Sequence, residues 1–285
     1  MTLPRRRFLH LAAAALAAAP QLSRAQSAGA HADLPGVKLW FTDTGGAGMP
    51  LVLLHANTGN SDIWEGQIGA FAQAGYRVIA FDRRGWGKSL ADPPSGPQPG
   101  TIAGDLDALA DHLKLERFHL LGVAGGGFAA LDYAAWRPER LRGLVIGAST
   151  GQIADAEIAG FAARIEIPEL RKLSPVYLEV SPSYRGADPE GTKRWREIEE
   201  HSRQAGAPNQ PLRTPNTFAK IATIPTPTLV IAADADLLAP PALMRIWAAH
   251  VKDHDWAVVG DAGHAVAWER PDLFNAQVLG FLGRH

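Results

Sequence analysis

The stretch RFHLLGVAGGGFAALDYAAWRP, residues 117–138, changes hydrophobic period abruptly in its middle. Phe118 to Val123 is an apolar run of the length of a buried strand, whereas Phe128, Leu131 and Ala135 recur at helical spacing. Between the two stand Gly122, Gly125, Gly126 and Gly127, around Ala124. Glycine accepts backbone conformations and close approaches that other residues do not, so the pattern predicts a strand turned sharply into a helix.

That turn resembles the nucleophile elbow, G-x-S-x-G, of the α/β-hydrolase superfamily, with Gly122 and Gly126 at the two flanking glycine places. Where the family carries its serine, this chain has Ala124. The resemblance implies an α/β fold: a mostly parallel central sheet flanked by helices, with a helical cap inserted after the strand that follows the elbow. Further landmarks come in the family's order. His55-Ala56-Asn57-Thr58-Gly59 follows the apolar run Pro50 to Leu54 and is similar to the family's oxyanion loop, with Ala56 in place of a glycine and Trp64 where the family's tryptophan falls. By this resemblance the backbone N–H groups of Asn57 and Gly125 form an oxyanion hole. His55 itself reads as a packed loop residue. Asp82-Arg83-Arg84-Gly85-Trp86-Gly87-Lys88-Ser89 is similar to the family's D-x-R-G-x-G-x-S turn, in which arginines tie the loop to the core more often than they hold substrate. The apolar run from Thr228 ends in Asp234-Ala235-Asp236, and Gly263-His264 precedes the closing helix. Asp236 is thereby the implied triad acid and His264 the implied base, in the family's Asp-then-His order.

A methyl group cannot attack a carbonyl, so Ala124 rules out the usual acyl-enzyme at this position. The sequence leaves four readings. In the first, an enzyme acting on an ester, lactone or activated C–C bond uses His264 and Asp236 to activate water. In the second, His264 serves as base in a lyase or isomerase. The third is a catalytically inactive binding protein, and the fourth an ordinary serine hydrolase whose serine has been exchanged for alanine. Thr58, Ser149 and Thr150 lie near enough in the pattern to be checked as displaced nucleophiles.

Around these landmarks the chain alternates strand and helix signals without a break in composition, which favours one α/β domain for its 285 residues. Strands are predicted at Val37 to Thr42, Tyr76 to Phe81, Leu141 to Ala148 and Trp256 to Val259, and helices at Ile63 to Ala74 and Ile102 to Leu113. The core is assigned to 37–150 and 219–285, and the cap, with its prolines and amphipathic stretches, to 151–218. Within the site, Trp64, Tyr177 and Trp195 are candidate pocket residues. Hydrophobic residues at 46%, charged residues at 20% and a net charge of -1 suit a soluble domain and leave no basic stripe for nucleic acid. The absence of cysteine excludes disulfides and thiolate chemistry. The ten histidines form no close ligand pair, and no dinucleotide fingerprint stands in a first βαβ unit, so neither a metal nor a cofactor is expected, and the partner is a small molecule. Oligomeric state is left open.

The N-terminus carries Arg5-Arg6-Arg7-Phe8-Leu9, an Ala/Leu run to about Ala19, then Pro20 and Ser23-Arg24-Ala25. A basic start, a short apolar run and a small-residue exit fit a bacterial secretory signal, and the paired arginines resemble a twin-arginine signal. Residues 1–25 are read as that signal and 26–36 as a linker. The apolar run is too short for a comfortable span, so no stable membrane insertion is expected after export by the twin-arginine (Tat) machinery. The expected location is periplasmic or secreted.

Overall fold

The computed structural model describes residues 28–285, so the proposed signal segment, 1–25, lies outside the described residues. A nine-stranded sheet forms the centre. Its first two strands, β1 (Ala28–Leu34) and β2 (Val37–Asp43), are antiparallel, and β2 then runs antiparallel to β4 (Arg77–Phe81). β3 (Pro50–Leu54) enters the sheet between β4 and β6 (Phe118–Val123), and a two-residue strand β5 (Leu90–Ala91) pairs with β2. From β4 onward every pairing on the path β4-β3-β6-β7-β8-β9 is parallel, with β7 at Leu141–Gly147, β8 at Thr228–Ala233 and β9 at His254–Val259. β6 and β8 are buried at every position, as strands covered on both faces by helices must be.

The stretch 26–36, read from sequence as a linker, is corrected by β1, which pairs residue for residue with β2 from Ala28–Asp43 to Leu34–Val37. AGAHADL has little intrinsic strand preference. The full ladder to β2 and the burial of Ala32 and Leu34 in the core override it.

The helices that cover the sheet begin with α1 (Glu65–Gln73), which follows a 3-10 turn over Ser61–Trp64, then α2 (Ile102–His112) and α3 (Gly125–Trp136). α2 starts where Thr101 accepts the Gly104 N–H, a side-chain cap of the ordinary kind. Between β7 and β8 the chain leaves the sheet and forms α4 (Ala156–Ile165), α5 (Pro175–Glu179), α6 (Pro182–Ala187), α7 (Pro189–Glu200) and the short α8 (Phe218–Ile221). α7 turns Thr192, Trp195 and Ile198 inward, three and three residues apart, and keeps its charges outside. α9 (Pro241–Ala248), α10 (Val266–Glu269) and α11 (Pro271–Leu282) complete the second layer. No helix among the described residues is long and apolar enough to cross a membrane.

The loop after β4 is fixed by ions in the interior. Asp82 accepts Ser61 N–H and Lys88 N–H at 2.7 Å each, and Arg84 pairs with Asp105 of α2 while also donating to the carbonyls of Pro35 and Pro97. Burial pushes the Asp105 carboxyl up, and the Arg84 guanidinium opposes that shift. Breaking such a pair from one side strands a buried charge. Arg84→Met is expected to cost about 3 kcal/mol or more in urea unfolding, and Arg84→Met with Asp105→Leu to recover most of the loss.

Candidate active site

The elbow is built as its glycines require. Ala124 sits between β6 and α3 with φ +47° and ψ -116°, a conformation that costs a non-glycine residue about 1–3 kcal/mol. A methyl group at Gly122 would lie 2.5 Å from the Gly126 carbonyl oxygen, and one at Gly126 would lie 2.2 Å from that of Leu54. Both glycines therefore let the first turn of α3 press against the ends of β6 and β3. Ala124 donates to the Gly147 carbonyl at 2.9 Å, and its own carbonyl accepts the Ser149 hydroxyl at 2.8 Å. Ser149 is completely buried in this role, so its hydroxyl is committed to holding the turn.

Asn57 leaves β3 in the loop beside the elbow. Its backbone N–H and that of Gly125, the first residue of α3, have no acceptor among the described residues, and both residues line a cavity of about 200 Å³ together with Thr58, Ala124, Phe128, Glu179 and His264. His55, in contrast, is spent on the loop itself: its Nε2 accepts the Arg83 N–H at 3.0 Å, which makes Nδ1 the protonated nitrogen that donates to the Ala56 carbonyl. Complete burial, with the Arg83 charge nearby, holds its pKa well below the ordinary histidine value. It is neutral and structural.

His264 and Asp236 meet although 28 residues separate them. The His264 Nδ1 lies 2.8 Å from Asp236 Oδ2, and Asp236 Oδ1 accepts the N–H groups of Leu238 and Ala239, also at 2.8 Å. Burial opposes the charge on Asp236, but the imidazolium and these donors hold it below the usual carboxylate range. Burial likewise works against the charge on His264. Asp236, by charge and hydrogen bond, then Glu179 and Glu269, overcome it and push the imidazole up to about 9. The His264 loop is clamped to the cap as well: Glu269 accepts the N–H groups of Gly263 and Ser181, and Ala265 N–H donates to the Glu179 carbonyl at 2.9 Å.

Glu179 is the site residue that the sequence did not disclose. It comes from α5 in the cap, accepts the Thr58 hydroxyl at 2.7 Å, and lines the cavity with His264 and Ala124. Burial raises its carboxyl above the ordinary value, against the pull of His264 and Thr58. Nothing in the local sequence SPVYLEV marks it, because its place depends on the cap folding back onto the His264 loop.

The candidate pocket residues separate. Trp64 and Trp195 are fully buried and wall a narrow apolar slot next to Ala124 and His264. Tyr177 is 48% exposed and carries the Arg185 guanidinium against its ring; the assignment of Tyr177 to the pocket is corrected, since α5 turns Val176 and Glu179 inward and leaves Tyr177 outside. Arg84 ties its loop to the core, as read from the sequence. No group of three or more acidic or histidine side chains that could hold a metal occurs among the described residues.

A doubly covered parallel sheet, a strained glycine elbow and a His–Asp pair at the strand ends define an α/β-hydrolase scaffold. Residues 51–277 match the α/β-hydrolase family, and the chain belongs to it. It is similar to 2-hydroxy-6-oxononadienedioate/2-hydroxy-6-oxononatrienedioate hydrolases of Burkholderia vietnamiensis, 31% identical, and of Paraburkholderia phymatum, 28% identical, each over 87% of this chain and 92% of the relative. Among solved structures, a thermophilic esterase from Thermogutta terrifontis superposes with a TM-score of 0.75 at 24% identity, over 89% of this chain and 98% of the esterase, a likeness of fold.

Replacing Asp236 by Asn removes the charge that overcomes burial at His264. The His264 pKa, followed by NMR through the imidazole resonances, is expected to fall from about 9 toward the ordinary value of 6.5, with Glu179 and Glu269 still opposing burial.

Proposed function

We propose that the protein is a hydrolase of small carbonyl substrates, an ester, lactone or activated C–C bond, in which the His264–Asp236 pair activates water in place of a serine nucleophile. The observation that carries this reading is the His264 imidazole, anchored through Nδ1 to a buried carboxylate and lining one cavity with Ala124 and the unpaired N–H groups of Asn57 and Gly125. The resemblance to dienedioate hydrolases supports hydrolytic chemistry on a carbonyl-activated bond.

The steps follow from the positions of the groups. Water beside the Ala124 methyl gives a proton to His264 Nε2 as its oxygen bonds to the substrate carbonyl carbon. The carbonyl oxygen takes the electron pair and is held by the N–H groups of Asn57 and Gly125, at the positive end of α3. Collapse of the tetrahedral intermediate breaks the bond to the leaving group, which receives the proton from His264. Asp236 keeps the tautomer and steadies the imidazolium; no covalent intermediate with the protein forms.

With its imidazole pushed up to about 9, His264 is a neutral base in only about a hundredth of molecules at pH 7. The free enzyme must lose that proton to act, so kcat/KM on aryl esters and lactones is expected to rise about tenfold per pH unit and level off near pH 9. His264→Ala is expected to lower it at least about 100-fold. Undiminished turnover in that variant defeats the proposal.

The Glu179 carboxyl favours one second assignment, in which Glu179 takes the proton from water and the His264 imidazolium protonates the leaving group. The sign then reverses: the rate is lost, not gained, as pH passes about 9, and Glu179→Gln abolishes turnover. In the first assignment Glu179→Gln removes a charge that raises His264, moves the plateau to lower pH and leaves activity in place.

We also read residues 1–25 as a twin-arginine export signal, on Arg5-Arg6-Arg7 ahead of the apolar run. Arg5→Lys with Arg6→Lys is expected to retain a reporter fusion inside the cell, and unchanged export of that variant overturns the reading.

A further inference from the structure

A second cavity, of about 400 Å³, adjoins the first and shares Asn57, Gly125 and Phe128 with it. Its chemistry is different. Where the first is lined by Glu179 and by His264, whose Nδ1 meets Asp236, the second is walled by Arg83 from the loop after β4 and Arg203 from the cap, both guanidinium groups lying against the Trp86 ring, 4.3 and 4.0 Å from its centre.

Arg83 is 1% exposed and makes no ion pair with a carboxylate among the described residues. Its Nη2 donates to the Ala56 carbonyl and to Asn57 Oδ1, at 3.0 Å each. Its Nη1 has no acceptor, and its Nε–H is wholly buried without one. A guanidinium carries five N–H donors, so three are left without a protein acceptor here. Arg203 donates to the Gly85 and Ala207 carbonyls and to Asn209 Oδ1, all neutral acceptors. Burial, then the Arg203 charge, lower Arg83 to about 9. The nearby Asp105 is already neutralised by Arg84. The first turn of α3, which reaches this cavity through Gly125, adds its own positive end.

Two uncompensated guanidinium groups in a cavity are unfavourable until an anion joins them, and a carboxylate matches their planar donor geometry. We propose that this second cavity is a carboxylate subsite, in which Arg83 and Arg203 hold an acid group of the substrate while its reacting carbonyl lies in the adjoining cavity at Ala124 and His264. The substrate class is then a carbonyl compound with a carboxylate a few bonds from the bond that breaks. The inference rests on the reading of the Ala124 cavity as the reaction site, but the anion subsite is measurable without turnover.

The test is equilibrium binding of glutarate, a dicarboxylate of suitable length, against its neutral diamide glutaramide, followed by calorimetry and by quenching of tryptophan fluorescence. Glutarate is expected to bind at least about tenfold more tightly than glutaramide, and more weakly as salt rises. Arg203→Gln, at a half-buried position whose variant is checked by its melting curve, is expected to weaken glutarate about tenfold and to leave glutaramide unchanged. Arg83→Lys keeps the charge but loses the fork, and a smaller loss is expected. Equal affinity for the acid and the diamide, or a glutarate affinity indifferent to Arg203→Gln, overturns the subsite. The readouts separate the two proposals: the effect of Arg203→Gln on glutarate binding is read without turnover, and it decides the subsite whether or not the protein hydrolyses any ester or lactone.

Discussion

The closeness of the first turn of α3 to the ends of β3 and β6 is the constraint on which the site depends. At Gly126 only a hydrogen fits against the Leu54 carbonyl, and at Gly122 only a hydrogen fits against Gly126. That approach brings the loop after β3 beside the helix N-terminus, so that Asn57 and Gly125 border one cavity. It also holds residue 124 in a backbone conformation that serine in this family uses to present its hydroxyl. The strain persists with alanine in place, because neighbouring packing, not the side chain at 124, imposes it.

Charge in the interior is divided by the elbow. On the side of His264 lie Asp236, Glu179 and Glu269, and together they keep the imidazole charged. On the side of Trp86 lie Arg83 and Arg203, both lowered by burial, with the Arg203 charge adding to the effect at Arg83. In a poorly solvated site such fields act over longer distances than in water. Thus a molecule spanning both cavities meets an imidazole with carboxylates around it at one end and two guanidinium groups at the other. A fold of this class hosts many reactions, and it is this local division, not the scaffold, that argues for one of them.

The cap is joined to the chemistry more tightly than a cover would be. The Glu179 carbonyl and the Ser181 N–H bind the His264 loop directly or through Glu269, while the Glu179 side chain reaches Thr58 of the loop after β3. At the opposite wall Arg203 and Gln204 bond to the backbone of the loop after β4. Cap and core therefore share the residues that position His264 and the two sets of hydrogen-bond donors.

What could be read in the sequence was whatever local pattern determines. The strand-to-helix switch at Gly122–Gly127, the aspartate at the end of β8 and the histidine before α10 each depend on a few neighbouring residues, so the sheet, the elbow and the His264–Asp236 pair were legible. β1 was not, because AGAHADL becomes a strand only against β2. Glu179, the exposure of Tyr177 and the meeting of Arg83 with Arg203 over Trp86 were not legible either. Each is a contact or an orientation set by how the cap folds back onto the core, between residues as far as 121 positions apart. Local periodicity and backbone sterics determine the scaffold and the place of the His264–Asp236 pair. Long-range packing alone decides which ionised side chains share a cavity and which are left without partners.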